Sequence, residues 1–340
     1  MNLITGLNEH NLKVSIETSA RLHMGFYDLS SKSGVMYGGL GLSINAPCTQ
    51  IQLSKHHKRE IIDKAQANLV VKVDKLINVW NADFGIDNQN KKSDEHENIQ
   101  VIINQAISPH VGLGSGTQLA LAIGMGLNQL FNKNLSLAQI AESASRGKRS
   151  GIGIGAFSQG GFLVDAGKLA NEQIPIQTIP EIQFRLDFPA DWRILLIYDT
   201  SHTGIHGSRE RQAFRQLPAI KHSLKTMVFS EMLSALRCQD LQAFGACMQT
   251  LQAYNGDFFT PFQGGRFASK NVANVLIWLQ QNGVNCIGQS SWGPTGFAIV
   301  ENELQAQDLH DQLKLAFANE LNISFEIARA NNSGASLTVS

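Results

Sequence analysis

A glycine-rich loop that runs straight into a long apolar segment constrains the fold of this chain more than any other feature. Residues 108–131 read SPHVGLGSGTQLALAIGMGLNQLF. The first N–H groups of a helix lack intrahelical acceptors, and glycines let the backbone approach an anion closely. We therefore predict a cradle for a di- or triphosphate, with a tight turn that binds nothing as the alternative. The residues of this cradle are Gly112, Gly114, Ser115, Gly116 and Thr117.

The charge balance of the chain limits its partners. Its 340 residues include 28 basic and 28 acidic side chains, and the sequence pI is about 7.2. Proteins that bind nucleic acid through its phosphate backbone need a basic excess, so we expect no nucleic-acid partner. An anionic ligand must then be held by a local site. The length suggests two domains or one large domain.

Neither the cysteines nor the hydropathy pattern indicates a secreted or membrane protein. The cysteines form no C-x-x-C pair, so a zinc site or a redox dithiol is not expected, and free thiols fit a reducing compartment. Residues 1–10 show no basic segment followed by an apolar core. No apolar run approaches the length of about 18 residues that spans a bilayer. We expect a cytoplasmic protein that does not bind membranes.

Interleaved strand-like and helix-like segments predict an α+β architecture with two lobes and a boundary near residue 185. Strands are expected at 14–29, 99–107, 193–200 and 323–330, the last as a closing strand. Residues 284–300 read as a strand, a glycine turn and then a strand or a helix. Helices are expected within 58–84, 135–146 with Ser136 as N-cap, 213–254 and 303–319. Residues 37–43 look too glycine-rich for a strand interior and mark close backbone packing or a ligand rim. The stretch 88–98 reads as a solvated loop, and 151–167 as glycine-rich and then strand-like.

The phosphate loop is not of the Walker A type, because G-x-x-x-x-G-K-[ST] is absent. Residues 109–117 instead resemble the P-x-x-x-G-L-G-S-S-A loop of the GHMP kinase superfamily, with one residue fewer after Pro109 and Gly-Thr in place of Ser-Ala. The resemblance implies a two-domain GHMP kinase-like fold. Its ribosomal-S5-like N-terminal domain is taken as residues 1–185 and its ferredoxin-like C-terminal domain as residues 186–340.

A second superfamily segment lacks the group that kinase chemistry needs. Many members read G-x-x-S-G-I-D followed by G-G, and the aspartate lies near the hydroxyl that accepts the phosphate. Residues 147–161 read GKRSGIGIGAFSQGG at the same spacing, but the aspartate position holds Gly153. Glycine can neither accept a proton nor orient a hydroxyl, which argues against a kinase. Some members of the superfamily manage without this aspartate, so a kinase stays the alternative.

A glycine-rich turn in the C-terminal half, GQSSWGPTG at 288–296, corresponds to a superfamily segment that borders the phosphates. Ser290, Ser291 and Gly293 are predicted to donate hydrogen bonds to an anion. Trp292 is predicted to stack on a flat ring, with a buried tryptophan at a turn as the alternative.

Four separated segments together resemble the β-ribofuranosylaminobenzene 5′-phosphate synthase family: ETSARLHMGFYDL, YGGLGLSI, HGSRERQAF and GQSSWGPT. This family uses the GHMP fold without being a kinase and belongs to tetrahydromethanopterin biosynthesis. The resemblance implies that phosphoribosyl pyrophosphate condenses with 4-aminobenzoate or 4-hydroxybenzoate, that carbon dioxide and pyrophosphate leave, and that Mg²⁺ assists. It implies small-molecule substrates and, as a family-level expectation, a homodimer.

Three residues carry the predicted catalytic roles. Arg21 is expected to hold an anionic group of the substrate, with a surface salt bridge as the alternative. His23 is expected to hydrogen-bond the substrate, with a satisfied core histidine as the alternative. Arg149, beside Lys148, is expected to contact a phosphate, or else to lie at a solvated helix end.

The loop SHTGIHGSRER at 201–211 is predicted to bind the 5′-phosphate or the benzoate carboxylate through His206, Arg209 and Glu210, with a capped helix start as the alternative. Its H-x-x-x-H spacing lacks the H-E-x-x-H pattern, so zinc is not expected. Asp28 and Asp199 are the carboxylates considered for Mg²⁺, and the sequence does not choose between them. An ATP-dependent kinase and a non-catalytic phosphoribosyl or nucleotide sensor stay open as alternative functions.

Overall fold

The computed structural model describes residues 12–29, 35–85, 98–169, 179–202, 204 and 223–340. Within them the chain forms a large sheet, a smaller sheet and a short two-stranded ribbon, with helices packed against the sheets. The ribbon pairs β2 (Val35–Met36) with β7 (Lys168–Leu169).

The large sheet is built around two long antiparallel strands. Strands β1 (Lys13–Asp28) and β3 (Gly38–Lys55) pair over almost their whole length, with bulges near His23 and Phe26. Within the described residues this sheet has seven strands. Besides β1 and β3 they are β4 (Glu60–Asp63), β5 (Ile99–Gln105), β6 (Phe162–Asp165), β8 (Ile182–Leu186) and β13 (Ser336–Val339). Strand β4 runs parallel to β5, and the other pairings are antiparallel.

Helix α2 (Ser115–Leu130) lies at the centre of a helical layer on this sheet and packs on β1 and β3. Helix α4 (Ile152–Ser158) packs beside it on the same strands, while α1 (Val70–Phe84) and α3 (Leu137–Ser143) flank α2. The hydroxyl of Ser136 accepts from the Gln139 N–H, which confirms the predicted N-cap of α3. Because β5 leads into the phosphate loop and the loop into α2, the helical layer positions the loop at one end of the sheet.

The smaller sheet has the strand order of a ferredoxin-like fold. Its strands β9 (Arg193–Asp199), β10 (Ile287–Gln289), β11 (Gly296–Val300) and β12 (Ile323–Ala328) lie in the order β10-β11-β9-β12 and are all antiparallel. Between β9 and β10 come a π-helical turn (Met227–Met232), α5 (Leu233–Arg237), α6 (Leu241–Gln263) and α7 (Lys270–Gln281), and α8 (Glu303–Ala316) joins β11 to β12. This β-α-β-β-α-β order, with the fourth strand beside the first, confirms the predicted fold class.

One hydrophobic core joins the two halves of the molecule. Leu22 and Phe162 of the large sheet share a buried cluster with Leu196 of the smaller sheet and Phe244 of α6. The rings of Phe162 and Phe244 meet edge to face with centroids 5.7 Å apart. Helix α6 also packs directly on β1. The middle of β1 therefore lies at the junction of the halves, where it can present side chains to a site.

Some local predictions are wrong. Residues 38–43 lie inside β3. A Cβ at Gly41 would come within 2.2 Å of Ile152 Cγ2, so glycine is needed there for α4 to pack closely on the sheet. In the stretch 151–167, read as glycine-rich and then strand-like, residues 152–158 form a helix that the sequence did not predict, and the strand follows as β6. Within 58–84, the strand β4 precedes helix α1. The strand β13 follows β12 and returns to the large sheet, so the 323–328 strand does not close the chain.

The strands predicted at 14–29, 99–107 and 193–200 are confirmed within about two residues, and the segment 284–300 holds two strands. Helices α3 and α8 end three residues before their predicted ends, and α6 extends beyond residue 254. Residues 213–222 of the predicted helical region lie outside the described residues. The boundary near residue 185 stays a prediction, since β8 ends at Leu186 but β13 rejoins the large sheet. The predicted loop at 88–97 lies outside the described residues. Among the helices of the described residues, none is long and apolar enough to cross a membrane.

Candidate functional site

The predicted phosphate loop lies between β5 and α2 and has the backbone that its glycines suggest. Gly112 and Gly114 have φ angles of 89° and 81°, in the left-handed region, and Gly114 caps the N-terminus of α2. Ser115, Gly116 and Thr117 form the first turn of the helix. Because first-turn N–H groups lack helical acceptors, this end of α2 can bind an anion.

A turn between β10 and β11 holds this loop in place. The Ser290 hydroxyl donates to the Gly112 carbonyl at 2.8 Å and accepts from the His23 N–H at 3.0 Å. A Cβ on Gly293 would lie 2.4 Å from the Gly112 Cα, so only glycine allows so close an approach. The fully buried Ser290 hydroxyl is therefore used by the protein itself, and its predicted contact with substrate stays a prediction.

The loop opens onto a cleft with about 1040 Å³ of empty space, open solvent included. Arg21, Lys72 and Arg146 bring three cationic side chains to it. Among the described residues that line the cleft, none is acidic. The remaining wall is formed by the cradle residues together with His110, Gly204, Ser291, Trp292 and Gly293. This charge distribution favours a polyphosphate ligand.

Arg21 lies along the phosphate loop, and its predicted contact with an anion stays a prediction. Its backbone N–H donates to the Leu113 carbonyl at 3.1 Å, and its Nη1 donates to the Gly112 carbonyl at 2.7 Å. A Cβ on Gly114 would lie 2.9 Å from Arg21 Cγ, which explains the glycine at that position. Arg21 is partly exposed and lines the cleft, so its guanidinium is placed beside any anion bound there.

Sequence reasoning missed two cations of this cleft. Lys72 comes from the first turn of α1, and Arg146 from the segment after α3. A Cβ built on Gly116 would lie 3.4 Å from Arg146 Nη1 and 3.6 Å from Lys72 Nζ. Burial lowers the pKa of both side chains, and the charge of Arg146 lowers the pKa of Lys72 further. Neither cation forms an ion pair with a carboxylate of the described residues.

His23 is a buried, neutral histidine beside the cleft. Its ring is 5% exposed and packs on Phe26 with centroids 4.7 Å apart. Burial, with a smaller effect from the charge of Arg21, lowers the pKa of His23 to about 3. Its Nε2 is buried and has no hydrogen-bond partner within the described residues. A satisfied core histidine would not leave this atom without a partner, so the geometry favours a ligand contact.

Asp165 is a buried carboxylate on β6 that sequence reasoning did not single out. Its Oδ1 accepts from the N–H groups of Gly39 and Gly167 at 2.8 and 3.0 Å. Its Oδ2 accepts from the Ser150 hydroxyl and the Gly151 N–H at 2.6 and 2.8 Å. Burial raises the pKa of Asp165 against the opposing effect of these donors. Three of these contacts tie β3 to the start of α4 and the fourth holds Gly167 after β6, so Asp165 fixes the backbone where these segments meet.

The position of the kinase aspartate lies beside the first turn of α2. A Cβ on Gly153 would lie 3.1 Å from Thr117 Cγ2, and the Gly153 carbonyl accepts from Gln118 Nε2 at 2.8 Å. An acid at residue 153 would therefore stand close to a bound phosphate. Because residue 153 is glycine, its side chain supplies neither an acid nor a base at this position.

Three predicted residues lie at the edge of the cleft or apart from it. Trp292 is buried, packs on Phe259 with ring centroids 4.3 Å apart and lines the cleft, so its predicted stacking on a flat ring stays a prediction. Ser291, with a φ of 57°, lines the cleft next to it. Arg149 is not among the described residues that line the cleft. Burial raises the pKa of the Tyr37 phenol, and the charge of Arg149 opposes this effect.

The predicted binding loop with His206, Arg209 and Glu210 lies outside the described residues. Of the carboxylates considered for Mg²⁺, Asp28 is buried at the end of β1, and Asp199 accepts from the Ser269 hydroxyl at 2.6 Å at the end of β9. Neither lines the cleft. In the described part of the chain, no group of three His, Cys, Asp or Glu residues could hold a metal ion.

Comparison with known proteins agrees with this geometry. Residues 68–161 match the family model of the GHMP kinases N-terminal domain, and residues 232–319 match that of the GHMP kinases C-terminal domain. Homoserine kinase from Cytophaga hutchinsonii superposes with a TM-score of 0.61 at 15% identity, covering 99% of this chain and 100% of the other. Mevalonate diphosphate decarboxylase from Staphylococcus aureus superposes with a TM-score of 0.63 at 14% identity, covering 96% and 98%. These likenesses show the fold.

Sequence relatives narrow the family. The β-ribofuranosylphenol 5′-phosphate synthase of Archaeoglobus fulgidus is 30% identical over 299 residues, which cover 84% of this chain and 88% of the relative. The protein of the same name from Methanocaldococcus jannaschii is 29% identical over 346 residues, covering 94% and 98%. The chain belongs to the family of the β-ribofuranosylphenol 5′-phosphate synthases, enzymes built on the two-domain GHMP kinase fold.

Proposed function

We propose that this chain is a β-ribofuranosylphenol 5′-phosphate synthase, a decarboxylating pentosyltransferase that condenses phosphoribosyl pyrophosphate with 4-hydroxybenzoate. The observation that carries the proposal is a glycine-rich helix end with three cations, together with a glycine where many kinases of the superfamily have an aspartate. The relatives are named for a phenol product, which favours the hydroxyl on the ring. 4-Aminobenzoate is the second aryl acid to test.

The proposed reaction needs no net proton transfer. A C–C bond forms between the anomeric carbon of the ribose and the ring carbon that carries the carboxylate. The C–O bond to pyrophosphate breaks, and the departing oxygen keeps its electron pair. The bond from the ring to the carboxylate then breaks, carbon dioxide leaves, and its electron pair restores the aromatic ring. A site with glycine at residue 153 suits this reaction, because no hydroxyl has to be deprotonated.

The cradle supplies what a departing pyrophosphate needs. Negative charge grows on the leaving oxygen as the C–O bond lengthens, and preoriented N–H groups and cations stabilise that charge. In this proposal the first turn of α2, Lys72 and Arg146 hold the diphosphate. Arg21, fixed on the phosphate loop through the Gly112 carbonyl, contacts the same anion.

Three further parts of the proposal rest on the family resemblance. Mg²⁺ would enter with the substrate, bound mainly by diphosphate oxygens, since the described lining of the cleft offers it no carboxylate. No step above depends on the ion. The product would serve tetrahydromethanopterin biosynthesis, and the chain would form a homodimer.

Release of labelled carbon dioxide tests the proposal. The purified full-length chain is incubated with Mg²⁺, phosphoribosyl pyrophosphate and carboxyl-labelled 4-hydroxybenzoate, and a parallel reaction uses 4-aminobenzoate. We expect labelled carbon dioxide only when both substrates are present. Failure to release it from either aryl acid would contradict the proposal.

An ATP-dependent small-molecule kinase is the second candidate. The fold favours it, as does the 4-diphosphocytidyl-2-C-methyl-D-erythritol kinase of Exiguobacterium sibiricum, which is 24% identical over 68% of this chain and 70% of its own length. Gly153 opposes it. Formation of ADP that depends on an added alcohol would support the kinase, and tight binding of phosphoribosyl pyrophosphate without turnover would point to a sensor.

A further inference from the structure

A second, smaller chamber opens beside the phosphate cleft. Its empty space amounts to about 360 Å³ when open solvent is included, against about 1040 Å³ for the cleft. Ser291 and Trp292 line both spaces. A molecule in the chamber and a molecule in the cleft would therefore meet at these two residues.

Aromatic rings form much of the chamber wall. Phe26, Phe259 and Trp292 are all buried and line it. Phe259 and Trp292 lie with centroids 4.3 Å apart, and Phe26 packs on the His23 ring. Aromatic walls accept another ring by edge or face contact over such distances. The chamber therefore suits a single flat ring better than a sugar or a polyphosphate.

Two polar side chains of the chamber are used by the protein itself. Asn255 Oδ1 accepts from the Phe26 N–H at 2.8 Å, and its Nδ2 donates to the Phe26 carbonyl at 2.9 Å. Gln252 Nε2 donates to the Met24 carbonyl at 2.7 Å. These bonds fix the backbone of β1 along the chamber, so the walls are formed before a ligand arrives.

Two further polar side chains of the chamber, Arg266 and His23, differ in whether their nitrogen atoms already have hydrogen-bond partners. Arg266, a cation of the chamber wall, already pairs with Asp257 through Nε and Nη2 at 2.9 and 3.0 Å. His23 Nε2 is buried and has no partner within the described residues. A neutral imidazole carries its proton on one ring nitrogen and accepts at the other, and we assign the acceptor role to the unpartnered Nε2. An acceptor of this kind requires a ligand with an O–H or N–H group.

We propose that this chamber binds the aryl acid, with its ring against Phe26, Phe259 and Trp292 and its 4-hydroxyl or 4-amino group donating to His23 Nε2. This inference rests on the proposed function and adds the place and the recognition of the aromatic substrate. The carboxylate-bearing carbon, at the opposite end of the ring, then faces the wall shared with the phosphate cleft. The anomeric carbon arrives at that wall.

The same contact serves the reaction. When the ring attacks the anomeric carbon, the 4-substituent donates electron density to the ring and becomes more acidic. A neutral acceptor stabilises the positive charge that develops on this substituent, whereas an imidazolium would oppose it. His23 is therefore a catalytic residue in this proposal, and its burial has a chemical use.

Equilibrium binding of two aryl acids tests the His23 contact, because benzoate lacks the 4-hydroxyl. We expect the wild-type chain to bind 4-hydroxybenzoate about tenfold more tightly than benzoate, as one buried hydrogen bond implies. His23→Phe should bind the two acids equally. His23→Gln, which keeps an amide acceptor, should recover part of the preference. The same preference in the wild type and in His23→Phe would overturn the proposal.

A second variant tests the aromatic wall and keeps the proposal testable if His23→Phe does not fold. Phe259→Leu should weaken the binding of both aryl acids about tenfold and leave pyrophosphate binding within about twofold. Phe317→Leu is the matched control, since Phe317 packs near Trp278 and Phe325 and lines neither space. Unchanged aryl acid binding in Phe259→Leu would contradict the proposal.

These measurements separate the chamber from the proposed function. If the wild-type chain releases no carbon dioxide but binds 4-hydroxybenzoate with a preference that depends on His23, the function is wrong and the chamber assignment holds. If the chain releases carbon dioxide while His23→Phe and Phe259→Leu bind aryl acids like the wild type, the function holds and the chamber assignment is wrong.

Discussion

Removal of the Lys72 charge should weaken polyphosphate binding. A Cβ built on Gly116, in the first turn of α2, would lie 3.6 Å from Lys72 Nζ and 3.4 Å from Arg146 Nη1. A phosphate held by the first-turn N–H groups would therefore lie within about 4 Å of both cations. At that distance two unit charges interact by about 4 kcal/mol when the effective dielectric constant is about 20.

Solvent reduces this figure, because Lys72 is only half-buried. A hydrogen bond to a charged group contributes about 1.5–3 kcal/mol, so Lys72→Met should raise the Kd for pyrophosphate or phosphoribosyl pyrophosphate about 10- to 150-fold. Isothermal titration calorimetry at fixed ionic strength measures this change. The Kd for 4-hydroxybenzoate should stay the same, since Lys72 does not line the chamber.

The same variant should not destabilise the unliganded chain. The charge of Arg146 lowers the pKa of Lys72, so the two cations repel each other when no anion is bound. Lys72→Met should leave the free energy of unfolding in urea unchanged or raise it by up to about 1 kcal/mol. Lys314→Met, on the exposed last turn of α8, is the matched control and should change neither quantity. A Kd within about twofold of the wild type, or an equal loss in Lys314→Met, would refute the reasoning.

Three further perturbations test other parts of the site. The pKa of His23 is about 3 in the folded chain against an ordinary value of 6.5, so the unfolded chain binds the extra proton between these values. The contribution of His23 to the free energy of unfolding is therefore fully present above about pH 6.5 and falls by about 1.4 kcal/mol per pH unit from there to about pH 3. Urea unfolding of His23→Phe should lack this contribution. Gly153→Asp should form no ADP from ATP and an alcohol, and its carboxylate near Thr117 should raise the Kd for pyrophosphate about tenfold; kinase activity in this variant would contradict the expectation. Gly293→Ala places a Cβ 2.3 Å from a carbonyl oxygen of the phosphate loop and should lose about 1–3 kcal/mol of stability. The control Gly265→Ala, whose Cβ would have no described atom nearer than 3.6 Å, should lose under about 0.5 kcal/mol. Equal thermal unfolding of the two variants would contradict this packing.

Local signals predicted the elements that depend on neighbouring residues. The glycine-rich segment at 112–117 predicted a turn that leads into a helix, and Ser136 predicted the start of α3, and both predictions are confirmed. The ferredoxin-like order of the smaller sheet followed from the family resemblance, because strand periodicity alone does not give the pairing of strands.

The secondary-structure predictions failed at glycines that are needed for close tertiary packing. Local rules predict no strand interior at residues 38–43 and no helix at residues 152–158, but these segments form a strand and a helix. A Cβ on Gly38 would lie 2.1 Å from the Tyr27 ring, and one on Gly41 would meet Ile152. Local rules treat glycine as a breaker of regular structure and do not show the partner for which its small size is needed.

The charged residues of the site show the same limit. Arg21 was found because it belongs to a recognisable motif. Lys72 and Arg146 come from different segments, and only the packing of α1 and α3 around α2 brings them to one helix end. Asp165 was missed because its partners are mostly backbone N–H groups, which no side-chain pattern reveals.

A stoichiometry measurement tests the proposed reaction most directly. The purified chain is mixed with Mg²⁺, phosphoribosyl pyrophosphate and carboxyl-labelled 4-hydroxybenzoate, and labelled carbon dioxide and pyrophosphate are counted while mass spectrometry follows the aryl product. Decarboxylative C–C bond formation predicts equal amounts of carbon dioxide, pyrophosphate and a ribosylated phenol. Pyrophosphate release without carbon dioxide, or a product that keeps the carboxylate, would contradict the proposed reaction.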